Sequence, residues 1–137
     1  MLYCLLEYSY NPCKGFTEGA ECIDVAACQS KSVIEIEGVE LEIHLVSMDG
    51  LYQFALGRHS TITWNPGAPI GGRPTIKYTA GEKTVEVILE CSRTGADIFE
   101  ALGEEPINYY KFRLENKCAC WDGCSGQGKF EEKKTRE

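Results

Sequence analysis

The stretch EEPINYYKFRLENKCACW, residues 104–121, sets an acidic pair and a tyrosine pair ahead of a short alternating run and clustered cysteines. Carboxylates accept hydrogen bonds, tyrosine hydroxyls both donate and accept, and cysteines form disulfides or hold metal. Cys118, Cys120 and Cys124 have the spacing C-x-C-x3-C. Zinc sites are usually built from paired C-x2-C knuckles or added histidines. Such knuckles are missing, and His44 and His59 are the only histidines. The full set is Cys4, Cys13, Cys22, Cys28, Cys91, Cys118, Cys120 and Cys124. An even, high count in a small domain favours disulfides and an oxidising compartment over metal. Eight expected half-cystines leave no obvious nucleophilic thiol. The chain has no G-x-S-x-G elbow, phosphate-binding loop, dinucleotide fingerprint or H-E-x-x-H. No acidic pair stands out as acid and base. The expectation is a protein that is not an enzyme and takes no cofactor or metal.

Composition narrows the class further. A length of 137 residues suits one domain with its own core. The net charge of −7 argues against nucleic acid, whose phosphates need basic surface. No apolar run reaches the eighteen or so residues that cross a bilayer, so no membrane insertion by this segment is expected. The opening MLYCLLEYSY meets Glu7 early and lacks a basic start, so it does not read as a signal peptide.

Elements that could position these groups read mostly as strands. VIEIEGVELEIHLV alternates on both sides of Gly38 with a change of parity there, the mark of a hairpin or bulge. LYQFAL follows an Asp-Gly turn, and STITW is short. NPGAPIGGRP cannot be regular structure. TIKYT precedes a turn at AGEK. TVEVILEC sets Val85, Val87 and Leu89 against Glu86 and Glu90. YYKFRL sets Tyr110, Phe112 and Leu114 against Lys111 and Arg113. Only ADIFEALG hints at a helix, barely two turns long. The fold class expected is all-β: a disulfide-bonded, flattened barrel or sandwich of short antiparallel strands. Residues 1–124 form the domain. Residues 125–137 are polar, glycine-containing and charged, and read as a disordered tail or linker.

Five segments in order resemble the mannose 6-phosphate receptor homology domain, a β-barrel lectin module. They are the opening NPC…C…AACQ, the strand YQFALG, the turn PTIKYTAGEK, the strand TVEVILEC, and the closing EEPINYYKFRLENKCAC. The resemblance runs from about Asn11 to Cys120. It implies a mannose pocket made by a glutamine, a cation, a glutamate and a tyrosine. By position these are Gln29, Lys83, Glu104 (or Glu105) and Tyr110, with His44 as the alternative to Gln29. It also implies a closing disulfide between Cys91 and Cys120. Two departures stand out. The family's arginine is here Lys83, a point charge where a planar fork is usual. Asn108 stands where a cysteine usually precedes the tyrosine pair, so that bond is absent or rerouted through Cys118 or Cys124. The expected role is a lectin-like module, secreted or in the luminal or extracellular part of a membrane protein, that binds mannose-type glycans, with or without phosphate, on glycoproteins. Neighbouring receptor domains are candidate partners. The alternative is a degenerate member of the fold that makes protein contacts or serves sorting without sugar.

The residue types suit a neutral sugar independently of the resemblance. A carboxylate accepts from two hydroxyls, an amide donates and accepts, a cation donates, and a tyrosine adds an apolar face with a hydroxyl. Each residue also has a plainer reading. Tyr110 shares parity with Phe112 and Leu114 and suits a core. Glu104 and Glu105 suit a solvated turn, and Lys83 is an ordinary turn lysine. Gln29 suits surface beside a disulfide, and His44 a solvated strand face. Trp64 and Trp121 are aromatic enough to stack on sugar, but isolated tryptophans more often pack.

Overall fold

A computed structural model of the chain describes residues 2–36, 43–44, 53–67, 72–120 and 133–136. Most of them are strand. β1 is Leu2–Tyr10, β2 Phe16–Glu18, β3 Cys22–Val25, β4 Ala27–Ile36 and β5 Ile43–His44. β6 is Gln53–Asn65, β7 Thr75–Ala80, β8 Lys83–Cys91, β9 Ile98–Glu104, β10 Tyr109–Asn116 and β11 Lys133–Arg136. The main sheet runs β11-β1-β4-β6-β7-β8-β10-β9, with β5 paired to β4; β2 and β3 form a separate hairpin. The edge strands β11 and β9 approach each other, so the sheet is a nearly closed, flattened barrel. The all-β, disulfide-bonded class is therefore the one observed. Among the pairs, β8 and β10 are parallel, which the antiparallel expectation did not contain.

Alternation along the strands is what builds the core. Val85 and Val87 of β8, and Tyr110, Phe112 and Leu114 of β10, all point inward and are buried. Tyr8 and Tyr10 of β1, Leu56 of β6 and Tyr78 of β7 meet them. Phe112 lies edge-on to Phe99 at 5.1 Å and to Tyr8 at 5.5 Å, geometries that aromatic quadrupoles favour. The Tyr10 and Tyr78 hydroxyls satisfy each other at 2.9 Å. Burial raises both of their pKa values, Tyr10 well above the ordinary phenol value. Gly57 is closely packed: a Cβ there would lie 2.4 Å from that of Tyr78.

Three sequence expectations need correction. ADIFEALG is not helical; residues 98–104 are β9, paired antiparallel with β10. Alanine, leucine and glutamate prefer helix by only about 0.7 kcal/mol per residue or less, and two turns barely nucleate. Pairing with β10, with Phe99 and Ala101 packed against the core, outweighs that preference. The described part of LYQFAL, from Gln53, and STITW are not two strands but parts of the thirteen-residue β6. Its ladder with β7 shifts register between Arg58 and Thr63. There the Thr61 hydroxyl accepts from the Thr79 N–H at 2.7 Å and donates to the Arg58 carbonyl at 2.6 Å, standing in for missing backbone bonds. Finally, residues 133–136 of the expected tail form β11 on the edge of β1, where Tyr10 opposes Lys133. The arms of the VIEIEGVELEIHLV hairpin do pair, Glu35 with His44 and Ile36 with Ile43. The turn expected at Gly38 lies outside the described residues.

Two disulfides are present among the described residues. Cys22–Cys28 pins the β2–β3 hairpin to β4, and Cys91–Cys120 ties the end of β8 to the 3-10 turn Lys117–Ala119 that follows β10. Cys13, one of the eight expected half-cystines, is instead a free, exposed thiol. The side chains of Cys4 and Cys118, and all of Cys124, lie outside the described residues. No described helix is long and apolar enough to cross a membrane.

Candidate functional site

The four side chains named from the sequence come together at one end of the barrel. On one wall, strand register sets Tyr8, Gln29 and Phe54 in a row across β1, β4 and β6. On the facing wall, Glu104 of β9 stands directly opposite Tyr110 of β10. Lys83 opens the neighbouring β8.

Hydrogen bonds join the two walls. Gln29 Nε2 donates to the Tyr8 hydroxyl at 3.0 Å, and Gln29 Oε1 lies 3.5 Å from the Tyr110 hydroxyl. Lys83 Nζ donates to the same hydroxyl at 3.1 Å and to Asn108 Oδ1 at 2.9 Å. The ammonium also lies 4.9 Å from the Phe54 ring centroid and 5.3 Å from that of Tyr110, within cation–π range. Glu104 Oε2 accepts from the Asn108 backbone N–H at 3.0 Å.

Electrostatics follow from these contacts. The Tyr110 hydroxyl bonded to Glu104 holds that carboxyl below its ordinary value, with help from the Asn108 N–H and from Lys83. Burial, and then Glu104, push the Tyr110 phenol up. Glu104 is therefore a carboxylate and Tyr110 a neutral phenol at any physiological pH. Because Glu104's folded pKa is depressed, its contribution to stability is complete above the unfolded value of 4.5 and fades as pH falls through the folded one. The residue is exposed, so water screens much of that contribution.

Burial divides the cluster in two. Tyr8, Gln29 and Tyr110 are buried, and their polar atoms satisfy one another. Glu104 is exposed, while Lys83 and Asn108 are half-buried. Lys83 and Asn108 border a cleft of about 410 Å³ whose other walls include Glu21, Gln53, Phe54, Arg58 and Glu82. That volume lies within the usual range for small-molecule sites, about 300–1,000 Å³. Such an arrangement can offer an acceptor and a donor to a ligand's hydroxyl pair, with a ring beside them.

The plainer sequence readings divide residue by residue. Tyr110 is both core and cluster: its ring is 2% exposed, and its hydroxyl ends in the polar group. Gln29 is buried rather than surface. Lys83 begins a strand, but its side chain turns back over the barrel end. Between the two acidic candidates, Glu104 makes the side-chain contact, while Glu105 contributes its backbone N–H to the Tyr109 carbonyl at 2.9 Å. His44 pairs with Glu35 toward the far end of β4, away from Gln29. Trp64 pairs with Ile76 near the far end of β6, outside the cluster. Trp121 lies outside the described residues.

Tyr8, Phe54 and Asn108 belong to the cluster and were not named as site residues from the sequence. Asn108 was noted only for the cysteine it replaces. Its backbone is left-handed, with φ of 66°, a region that asparagine tolerates better than most residues. A Pro-x-Asn turn just before a strand was the available signal. Asn108→Ala should lower stability by up to about 1–2 kcal/mol, because alanine lacks the polar side chain that offsets the Cβ penalty in that region. Asn108→Gly should recover most of the loss, since glycine takes that backbone freely. Urea unfolding of both variants checks this. Equal losses would put the cost in the lost Lys83 contact instead.

Compared with known proteins, the chain matches no family model, no curated protein and no solved structure.

Proposed function

We propose that this chain is a carbohydrate-binding, lectin-like module of the mannose 6-phosphate receptor homology type, acting outside the cytoplasm on mannose-containing N-glycans. The observation that carries the reading is the convergence of Gln29, Lys83, Glu104 and Tyr110. They come from four strands, β4, β8, β9 and β10, and the resemblance had named all four as one pocket. The mechanism is reversible recognition without turnover. Glu104, ionised even in mild acid, accepts sugar hydroxyls; Lys83 donates; the Tyr110 hydroxyl contacts both, and Gln29 contacts Tyr110. The two disulfides support a secreted protein or the luminal or extracellular part of a membrane protein.

Glu104→Gln keeps size and removes the charge. Charge-assisted hydrogen bonds contribute roughly 1.5–3 kcal/mol, so affinity for mannose should fall about tenfold to a hundredfold. Lys83→Arg should tighten binding, since the guanidinium fork holds two oxygens. Titration calorimetry with mannose and a high-mannose glycan measures both.

One observation favours a second reading, a sugar-free contact or sorting module. Lys83 already spends its ammonium on Asn108 and Tyr110, and Tyr8, Gln29 and Tyr110 satisfy each other without a ligand. On that reading the cluster is a polar plug closing the barrel. Flat titrations for both the parent and Lys83→Arg, with circular dichroism showing a folded β protein, would establish it.

A further inference from the structure

Resting on the lectin reading, we infer that the cleft beside Lys83 is a second saccharide subsite with Phe54 as its stacking wall, so that the ligand is an uncharged oligosaccharide rather than a single phosphorylated sugar. Phe54 stands next to Gln29 across β4 and β6, so its ring continues the wall of the cluster outward. Its ring is 43% exposed and borders the cleft, so it presents an apolar face there. Sugar rings have apolar C–H faces that suit such a surface. The Lys83 ammonium, 4.9 Å from the ring centroid, links the first site to this wall. Gln53 also borders the cleft, but its amide is turned away from it, with Nε2 donating to Ser30 Oγ at 3.3 Å.

Charge points to an uncharged ligand. Arg58 and Lys83 line the cleft, but Glu21 and Glu82 line it too. Both cations are already engaged: Arg58 donates to the Ile23 carbonyl at 3.1 Å, and Lys83 to Asn108 and Tyr110. A phosphate placed here would gain little attraction and would meet carboxylates, a juxtaposition that costs affinity. Hydroxyls, by contrast, donate to the carboxylates that would repel a phosphate.

The test is a calorimetric comparison of methyl α-mannoside, an α-linked mannobiose and mannose 6-phosphate. The mannobiose should bind about two- to tenfold more tightly than the monosaccharide, as expected for one added aromatic contact. Mannose 6-phosphate should bind no more tightly than mannose. Phe54→Ala should bring the disaccharide-to-monosaccharide ratio to about one, and Phe54→Tyr, which keeps the ring, should restore it. Equal affinities in the parent, a ratio unmoved by Phe54→Ala, or tighter binding of the phosphorylated sugar would overturn the subsite while leaving the lectin reading standing. No binding of any sugar by the folded parent would remove both, and the monosaccharide titration tells the two failures apart.

Discussion

Phe112→Ala is expected to lower the free energy of unfolding by about 3–5 kcal/mol, the usual cost of truncating a buried phenylalanine. Phe112 is 1% exposed and touches three other rings, those of Tyr8, Tyr10 and Phe99. These rings come from β1, β9 and β10, so the loss would fall where the barrel nearly closes. The strands around Phe112 are paired on both sides, β8 parallel and β9 antiparallel, and cannot easily collapse into the cavity. A domain of this size is typically stable by only about 5–15 kcal/mol, so the variant should sit near its folding limit. Urea unfolding followed by tyrosine fluorescence measures the change. A loss below about 1 kcal/mol would mean that the barrel end is loosely packed and that the Tyr110 cluster beside it is not rigidly held.

Replacing both Cys91 and Cys120 by alanine should cost about 4 kcal/mol. The bond joins residues separated by 29 positions, and in the chain-entropy view a loop of that length stabilises by restricting the unfolded chain. Native contacts do not make the bond redundant. Asn116 pairs with Cys91 in the β8–β10 ladder, and Ser92 N–H donates to the Asn116 carbonyl at 3.2 Å, but both form only once the chain has folded. Comparing denaturation midpoints of the oxidised parent and the double variant tests this. A difference under about 1 kcal/mol would show that strand pairing alone holds β8 and β10 together. Failure of β10 to hold its register should also disperse the candidate site, because Tyr110 and Glu104 meet only through that strand.

Residues that succeed as local signals were legible in the sequence. The period-two runs at Val85–Leu89 and Tyr110–Leu114 named the inward faces of β8 and β10, because each strand buries one side whatever it pairs with. Sequence reading lost its grip where a segment's partner decides its state. Ile98–Glu104 is built from residues with modest helix preference, yet it becomes a strand because β10 offers it a ladder and a core. Lys133–Arg136 is too polar to announce a strand, but β1 presents an unpaired edge to it. Leu2–Tyr10 reads as an apolar opening until β4 pairs with it over its whole length.

By itself, then, the sequence determined an all-β, cysteine-bonded domain with alternating core strands, since side-chain parity and cysteine count are properties of the chain alone. Its resemblance nominated Gln29, Lys83, Glu104 and Tyr110, but apart from Glu104 and Tyr110, six residues apart, no local pattern could put them within reach of one another. Only tertiary structure decided that the hydroxyl of the inward-facing Tyr110 ends in the cluster, that Asn108 anchors both Lys83 and Glu104, and that Phe54 rather than Trp64 borders the cleft. The physical reason is range. Periodicity and turn chemistry act over a few residues, whereas the site depends on register between strands tens of residues apart, and register is set by what the whole core buries at once.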